Sequence, residues 1–139
     1  MTSSLMEYFN KGPRLGILST SSKDGRVDSA LFGSPRMIDE KTVVIATRKN
    51  RTFANLLENP NAVFMIIEQG AAVLDRKGIR VYLKMKEYSI SGELLDNIRA
   101  QAMRFIGEEA AKMLYAAVIF EVYEVRPLVD IGQGWEKSV

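Results

Sequence analysis

Residues 42–60 read TVVIATRKNRTFANLLENP, and they predict a β-strand, a basic loop and a short helix in immediate succession. The run at 42–47 is apolar and rich in β-branched residues, which is typical of a strand. From Phe53 onward the apolar residues recur at helical spacing until Asn59-Pro60 ends the pattern. Asn50 precedes this helix and is predicted to cap its N-terminus.

The charges of this segment oppose the helix dipole. Arg51 falls in the first turn, directly after the basic pair Arg48-Lys49, although helix N-termini favour acidic side chains. Glu58 in the last turn also has the unfavourable sign. A bound phosphate would reverse this cost, because backbone N–H groups, the Thr52 hydroxyl and the Arg51 guanidinium could converge on it. The same charges are also compatible with a solvated basic loop that binds nothing.

The composition excludes several kinds of catalytic and metal site. The chain contains no histidine and no cysteine, so thiolate catalysis, Ser-His or Cys-His nucleophiles, disulfides and the usual zinc ligands are all absent, and no metal site is expected. An enzyme of this composition would depend on a cofactor for its chemistry.

Length and charge indicate one ordinary globular domain over residues 1–139. The net charge is +2 and no Lys/Arg run exceeds two residues, which disfavours nucleic acid as a partner. No apolar segment approaches the length of a membrane span, and the N-terminus lacks the layout of a signal peptide. We therefore expect a cytoplasmic protein that does not associate with membranes.

The remaining chain predicts a mainly β fold with few helices. Further strands are expected at 15–20, 27–33, 37–38, 62–67, 79–90 and 115–125, and helices at about 5–9 and from Leu94 onward. The apolar phase of the longest strand slips near Lys86-Glu87, which predicts a β-bulge. The long helix is predicted to carry an apolar stripe that includes Phe105 and to break at Gly107. These elements predict a six- or seven-stranded antiparallel barrel, closed or partly closed.

The strands carry more apolar surface than one barrel interior can cover. The strand at 62–67 is apolar on both faces and is predicted to be fully buried, and the strands at 27–33 and 115–125 are also rich in apolar residues. A second copy of the chain is the simplest cover for the outer faces. The sequence therefore predicts a homodimer.

One strand also offers an alternative function. Arg80, Tyr82, Lys84 and Lys86 share one face of the strand at 79–90, and such a basic and aromatic stripe could bind single-stranded nucleic acid. A stripe of this kind is more often a solvated face.

The order of elements resembles the FMN-binding split barrels related to pyridoxamine 5'-phosphate oxidase, over roughly residues 5–125. The resemblance is carried by the strand at 43–47, then Arg51-Thr52, Ala54-Asn55-Leu56 and Asn59-Pro60. It implies that the fold is an antiparallel split β-barrel and that Arg51 and Thr52 hold the FMN phosphate. Arg48, in the same basic segment, is the next candidate for the phosphate.

The same resemblance implies further contacts with the flavin, and these are expected from Asp28, Ser29, Ala30, Leu31, Ile45, Ala46, Thr47 and Asn55. It also implies a dimer that builds its flavin sites at the junction, with Trp135 as a candidate to cover the flavin of the other chain. The larger oxidases have additional Arg and His residues near the C-terminus. This chain lacks histidine, so pyridoxamine phosphate is not the expected substrate.

The leading hypothesis is an FMN-dependent oxidoreductase of undefined substrate, which would act on a small molecule or accept electrons from a donor such as a nicotinamide nucleotide. The alternatives are a non-catalytic FMN-binding electron-transfer protein and, third, a barrel that binds nucleic acid.

Overall fold

Seven strands form one antiparallel sheet in the computed structural model, which describes residues 4–12, 14–68, 72 and 75–139. The elements in chain order are α1 Ser4–Asn10, β1 Leu15–Ser21, β2 Val27–Leu31, β3 Arg36–Asp39, β4 Thr42–Thr47, α2 Arg51–Glu58, β5 Asn61–Ile67, β6 Gly78–Ser89, α3 Glu93–Lys112 and β7 Ala116–Pro127, followed by a 3-10 turn at Trp135–Ser138.

The strand order is β2-β1-β5-β6-β7-β4-β3, and each adjacent pair is antiparallel. This arrangement confirms the predicted mainly β class and the antiparallel split barrel of six or seven strands. None of the helices in the described part of the chain is long and apolar enough to cross a membrane.

The core lies on the inner face of the curved sheet, and every second residue of β1 and β5 is buried. Its members on the strands include Leu18, Ile45, Phe64, Ile79, Val81, Leu83, Val118 and Phe120. Two helices complete this core, because Phe9 of α1 and both Phe53 and Leu56 of α2 pack into the same cluster. The helical spacing that predicts α2 therefore also places α2 against the barrel.

The predicted bulge in β6 is confirmed. The pairing of β6 with β7 shifts register between Met85 and Glu87, and a second irregularity lies between Tyr82 and Leu83. Each shift adds local twist, so a strand of twelve residues can bend around the barrel.

The prediction that β5 is buried on both faces is wrong for the single chain. Ala62, Phe64 and Ile66 are buried, whereas the alternate residues Val63 and Met65 are half-buried. The strand has an inner face toward the core and an outer face that the rest of the chain covers incompletely.

The predicted break of α3 at Gly107 is confirmed, since this residue has a φ of 85° inside the helix. The predicted apolar stripe is confirmed in part: Leu94 and Ile98 pack against a small buried cluster, whereas Phe105 is 86% exposed. The sheet thus covers the start of α3 through Ala46 and Ala117 and leaves the helix open at Phe105, before the break.

Candidate functional site

A cleft separates the β1–β2 hairpin from α2, and we call it the hairpin cavity. Its volume is about 410 Å³, and its lining residues are Ser22, Asp24, Arg26 and Val27 from the hairpin with Asn50, Arg51, Ala54, Asn55 and Glu58 from α2 and its cap. The basic segment singled out in the sequence therefore borders a cavity of ligand size.

Asn50 caps α2 as predicted. Its side-chain oxygen accepts a hydrogen bond from the Phe53 backbone N–H at 3.2 Å, and its carbonyl oxygen accepts from the Ala54 N–H at 3.0 Å. The backbone N–H groups of Arg51 and Thr52 come before Ala54, the first residue whose N–H bonds to a helical carbonyl oxygen, so the helix supplies no partner for them. The N-terminus of α2 thus presents two donors and the positive end of a helix dipole.

The middle of α2 is fixed to the barrel by one buried polar contact. The Asn55 side-chain nitrogen donates to the Thr20 hydroxyl of β1 at 3.1 Å, and the two residues are 7% and 3% exposed. This contact accounts for a polar side chain on the inner face of α2.

The C-terminal end of α2 is tied to the hairpin as well. The carboxylate of Glu58 accepts a hydrogen bond from the Lys23 backbone N–H at 3.1 Å. Glu58 opposes the helix dipole, but it satisfies a donor at the hairpin tip, and this second tie holds the two walls of the cavity together.

The hairpin cavity contains both positive and negative side chains, and the two ends of α2 differ in the sign of their charge. Arg26 and Arg51 bring two guanidinium groups, while Asp24 and Glu58 bring two carboxylates. Arg51 lies at the end where the α2 amides and dipole add to its charge, so this end favours an anion. Glu58 lies at the opposite end of the helix.

The predicted contacts on β2 divide between the two faces of that strand. Asp28 and Ala30 pair with Thr20 and Leu18 of β1 and share their inner face, on the side of α2. Ser29 and Leu31 lie on the outer face, where the Ser29 hydroxyl lies 2.9 Å from the Ser19 hydroxyl.

The predicted contacts on β4 are buried. Ile45 belongs to the barrel core, and Ala46 packs beneath α3 with Leu95. Thr47 is 1% exposed and its hydroxyl lies 3.2 Å from the Arg48 carbonyl oxygen.

Of the predicted phosphate ligands, Arg51 lines the hairpin cavity together with Asn55, whereas Arg48 is exposed on the preceding loop. The Thr52 side chain is buried at 2% exposure and is not among the described residues that line the cavity. The structure thus brings Arg51 and Asn55 together beside β2 and separates them from the Ile45 and Ala46 side chains.

Thr20 and Arg26 are among the residues of this region that were not predicted to belong to the site. The Thr20 hydroxyl accepts the hydrogen bond from Asn55. The sequence indicates such a role only through the position of Thr20, a polar residue on the same strand face as the buried Leu18. Arg26 lines the cavity from the hairpin, directly after the Asp-Gly turn. Nothing local in the sequence indicates that this turn faces α2.

The basic stripe on β6 is partly neutralised. Arg80 lies 3.2 Å from the Asp130 carboxylate and donates to the Pro127 carbonyl oxygen, and Lys86 lies 3.9 Å from Glu121. These pairings favour a solvated face over a surface that binds nucleic acid.

Trp135 lies in the 3-10 turn and packs against the barrel core of its own chain. The tail that carries it is anchored by Asp130, whose carboxylate accepts from the Arg126 side chain. The indole is half-buried in the single chain.

Comparison with known proteins identifies related chains. The family model described as pyridoxamine 5'-phosphate oxidase matches residues 4–127. An FMN-binding protein from Syntrophomonas wolfei is similar in structure, with a TM-score of 0.73 and 25% identity over 82% of this chain and 76% of the other. No curated protein sequence matches the chain significantly.

Two more distant structures share the fold. HupZ from Group A Streptococcus has a TM-score of 0.71 at 18% identity, covering 92% of this chain and 94% of the other. HutZ, the heme storage protein from Vibrio cholerae, has a TM-score of 0.64 at 20% identity, covering 91% and 95%.

Proposed function

The chain belongs to the pyridoxamine 5'-phosphate oxidase family, and from that premise we propose that it binds FMN and acts as a flavin-dependent oxidoreductase on a small molecule. The observation that carries the proposal is the N-terminus of α2, where Arg51 and the capping residue Asn50 border the hairpin cavity. The FMN-binding protein from Syntrophomonas wolfei, at 25% identity, supports the choice of cofactor.

The residues present fit one phosphate group. The Arg51 side chain could donate two parallel hydrogen bonds, and the backbone N–H groups of Arg51 and Thr52 would add charge-assisted bonds of their own. A dinucleotide would need a glycine-rich turn between a strand and a helix, and residues 48–50 between β4 and α2 read Arg-Lys-Asn. These features favour the mononucleotide form of the flavin.

The amino-acid composition favours flavin over heme as the cofactor. HutZ is described as a heme storage protein, but its identity of 20% carries the fold alone. This chain contains neither histidine nor cysteine, the usual sources of a proximal ligand to heme iron. We therefore propose flavin and not heme.

When bound, FMN would supply hydride or electron transfer. The residues of the chain would bind and orient it: Arg51 would neutralise the phosphate, and the Asn55–Thr20 contact would hold α2 at a fixed distance from β1. The side chains of Asp28 and Ala30 lie on the same face of the hairpin as Thr20 and would face the cofactor.

We also propose a homodimer, and the outer face of three adjacent strands supports it. Leu31 of β2 pairs with Ile17 of β1, and Ile17 pairs with Met65 of β5, so these apolar side chains form a continuous row. Leu31 is 72% exposed in the single chain, and the other two are half-buried. A second copy would remove this row from water.

Titration calorimetry of the flavin-free protein with FMN and with flavin adenine dinucleotide tests the cofactor. We expect FMN to bind at least about tenfold more tightly, because the hairpin cavity offers one compact phosphate site. Equal or tighter binding of the dinucleotide would contradict the proposal.

Anaerobic mixing of the FMN complex with NADH or NADPH distinguishes an oxidoreductase from a non-catalytic electron carrier. Rapid loss of the visible flavin absorption supports an oxidoreductase that accepts hydride. Reduction by one-electron donors alone would favour the non-catalytic FMN-binding electron-transfer protein.

A further inference from the structure

A second cleft, of about 290 Å³, borders the face of α2 that carries Phe53 and Leu57, and we call it the aromatic cavity. Its principal lining residues are Lys49, Phe53, Leu57, Tyr88, Ile90 and Tyr115. It lies where the ends of α2 and β6 meet the start of β7, and none of these six residues lines the hairpin cavity.

Three aromatic rings give this cavity its shape. Phe53 is 5% exposed, and its ring centroid lies 5.3 Å from that of Tyr88 and 5.6 Å from that of Tyr115. The interplanar angles are 82° and 74°, so both tyrosines meet Phe53 edge to face. Phe53 is held by the core, and Tyr88 remains 46% exposed, so much of its ring is available to a ligand.

The charge at the aromatic cavity is positive. The Lys49 ammonium lies 5.5 Å from the centroid of the Tyr115 ring, and Lys49 is the one charged residue among the described residues that line the cavity. A cation beside exposed aromatic and aliphatic surface is complementary to a flat ring that carries a negative group. The hairpin cavity differs because it holds two carboxylates as well as two guanidinium groups.

We propose that the aromatic cavity is a binding site for a small planar aromatic acid. The ring of the ligand packs against Tyr88 and Tyr115, and its carboxylate pairs with the Lys49 ammonium. The two cavities share Asn50 and Ala54 and lie on adjacent faces of one helix, but the aromatic rings and Lys49 line the aromatic cavity alone. The site does not depend on the flavin, and both ligands bind at the same time.

Titration calorimetry with 2-naphthoate, and with the uncharged 2-naphthamide as its matched comparison, tests the charge. We expect Lys49→Gln to weaken 2-naphthoate about tenfold, the effect of one charge-assisted hydrogen bond, and to leave 2-naphthamide unchanged. Lys41→Gln on the exposed β3–β4 turn is the control and should bind both compounds as the parent protein does. Equal loss of both compounds, or of neither, in Lys49→Gln would overturn the proposal.

A blocking variant tests the location. Leu57 is 51% exposed at the rim, so Leu57→Trp can fill the cavity without disturbing the core. It should abolish 2-naphthoate binding while FMN affinity is retained. If Leu57→Trp does not fold, Ile90→Trp provides the same test, because Ile90 also lies at the rim and is 52% exposed. Retained 2-naphthoate binding in a folded blocking variant would refute the location.

Competition separates this site from the flavin site. Saturating FMN should leave the affinity for 2-naphthoate within about twofold, since Phe53, Tyr88 and Tyr115 do not line the hairpin cavity. Displacement of 2-naphthoate by FMN would assign the aromatic cavity to the flavin and overturn the proposal. Failure of FMN to bind at all, with 2-naphthoate still bound, would refute the proposed function and leave this site standing.

Discussion

The side-chain amide of Asn55 donates to the hydroxyl of Thr20 across 3.1 Å, at a site where both residues are less than one-tenth exposed. The bond joins α2 to β1, across a separation of 35 residues in the chain. Because α2 carries Arg51 at its first residue, the position of that guanidinium relative to the hairpin depends on a contact at the middle of the helix.

We expect Asn55→Leu to lower the free energy of unfolding by about 1–3 kcal/mol, because it leaves the Thr20 hydroxyl buried without its partner. FMN affinity should fall as well, since α2 is no longer held at its distance from β1. Urea denaturation measures the first effect and calorimetric titration the second. The double variant with Thr20→Val should be less destabilised than the sum of the single variants, and strict additivity would show that the two side chains are not coupled.

Arg51→Ala should weaken FMN by about 1.5–3 kcal/mol, the usual contribution of a hydrogen bond to a charged group. The urea midpoint should change little, because Arg51 is exposed. Arg48→Ala is the matched control from the preceding loop and should have the smaller effect. The reverse order of effects would place the phosphate at Arg48.

Features set by a few neighbouring residues could be predicted from the sequence. The Asn50 cap follows from an amide side chain before an amphipathic run, and the shift between Met85 and Glu87 follows from the apolar phase. The break at Gly107 likewise follows from one residue that tolerates positive φ.

Features that depend on distant partners could not be predicted in this way. Glu58 opposes the helix dipole in sequence, and its role becomes evident when the Lys23 backbone N–H donates to it. The inward or outward direction of Asp28 and Ser29 depends on the register with β1, because a shift of one residue would exchange the two faces. The exposure of Phe105 depends on where α3 lies relative to the sheet.

The C-terminal tail should loosen in acid. The Gly132 backbone N–H and then the Arg126 guanidinium hold the pKa of Asp130 below its ordinary value. A carboxyl with a depressed folded pKa stabilises the fold above its ordinary pKa of about 3.9, and this contribution is lost as the pH falls through the folded pKa. The fluorescence of Trp135, the one tryptophan of the chain, should therefore change below about pH 4.

Asp130→Asn should abolish most of that acid transition and should lower the melting temperature modestly at neutral pH. Thermal melts across the pH range measure both effects. Glu109→Gln on the exposed surface of α3 is the control and should keep the transition of the parent protein. An unaltered transition in Asp130→Asn would assign it to another carboxyl group.

If the protein forms the proposed homodimer, a charged side chain on the outer face of β2, β1 and β5 should dissociate it into monomers. Leu31→Lys should give the mass of one chain in analytical ultracentrifugation at micromolar concentration, because a buried lysine without a partner opposes association. Leu31 is 72% exposed in the single chain, so the substituted monomer should stay folded by circular dichroism. Met65→Lys, one strand beyond Ile17 in the same row, should act in the same direction.

Phe105→Lys on α3 is the matched control for this interface. Phe105 is 86% exposed and is also apolar, but it lies on a helix and not on the row formed by Leu31, Ile17 and Met65. If the sheet face forms the interface, Phe105→Lys remains a dimer, since a specific interface of roughly 1,200 Å² would be left intact. A parent protein that sediments as a monomer with FMN bound would refute the dimer. Dissociation caused by Phe105→Lys alone would move the interface to α3, and the apolar outer row of the sheet would then need a different cover.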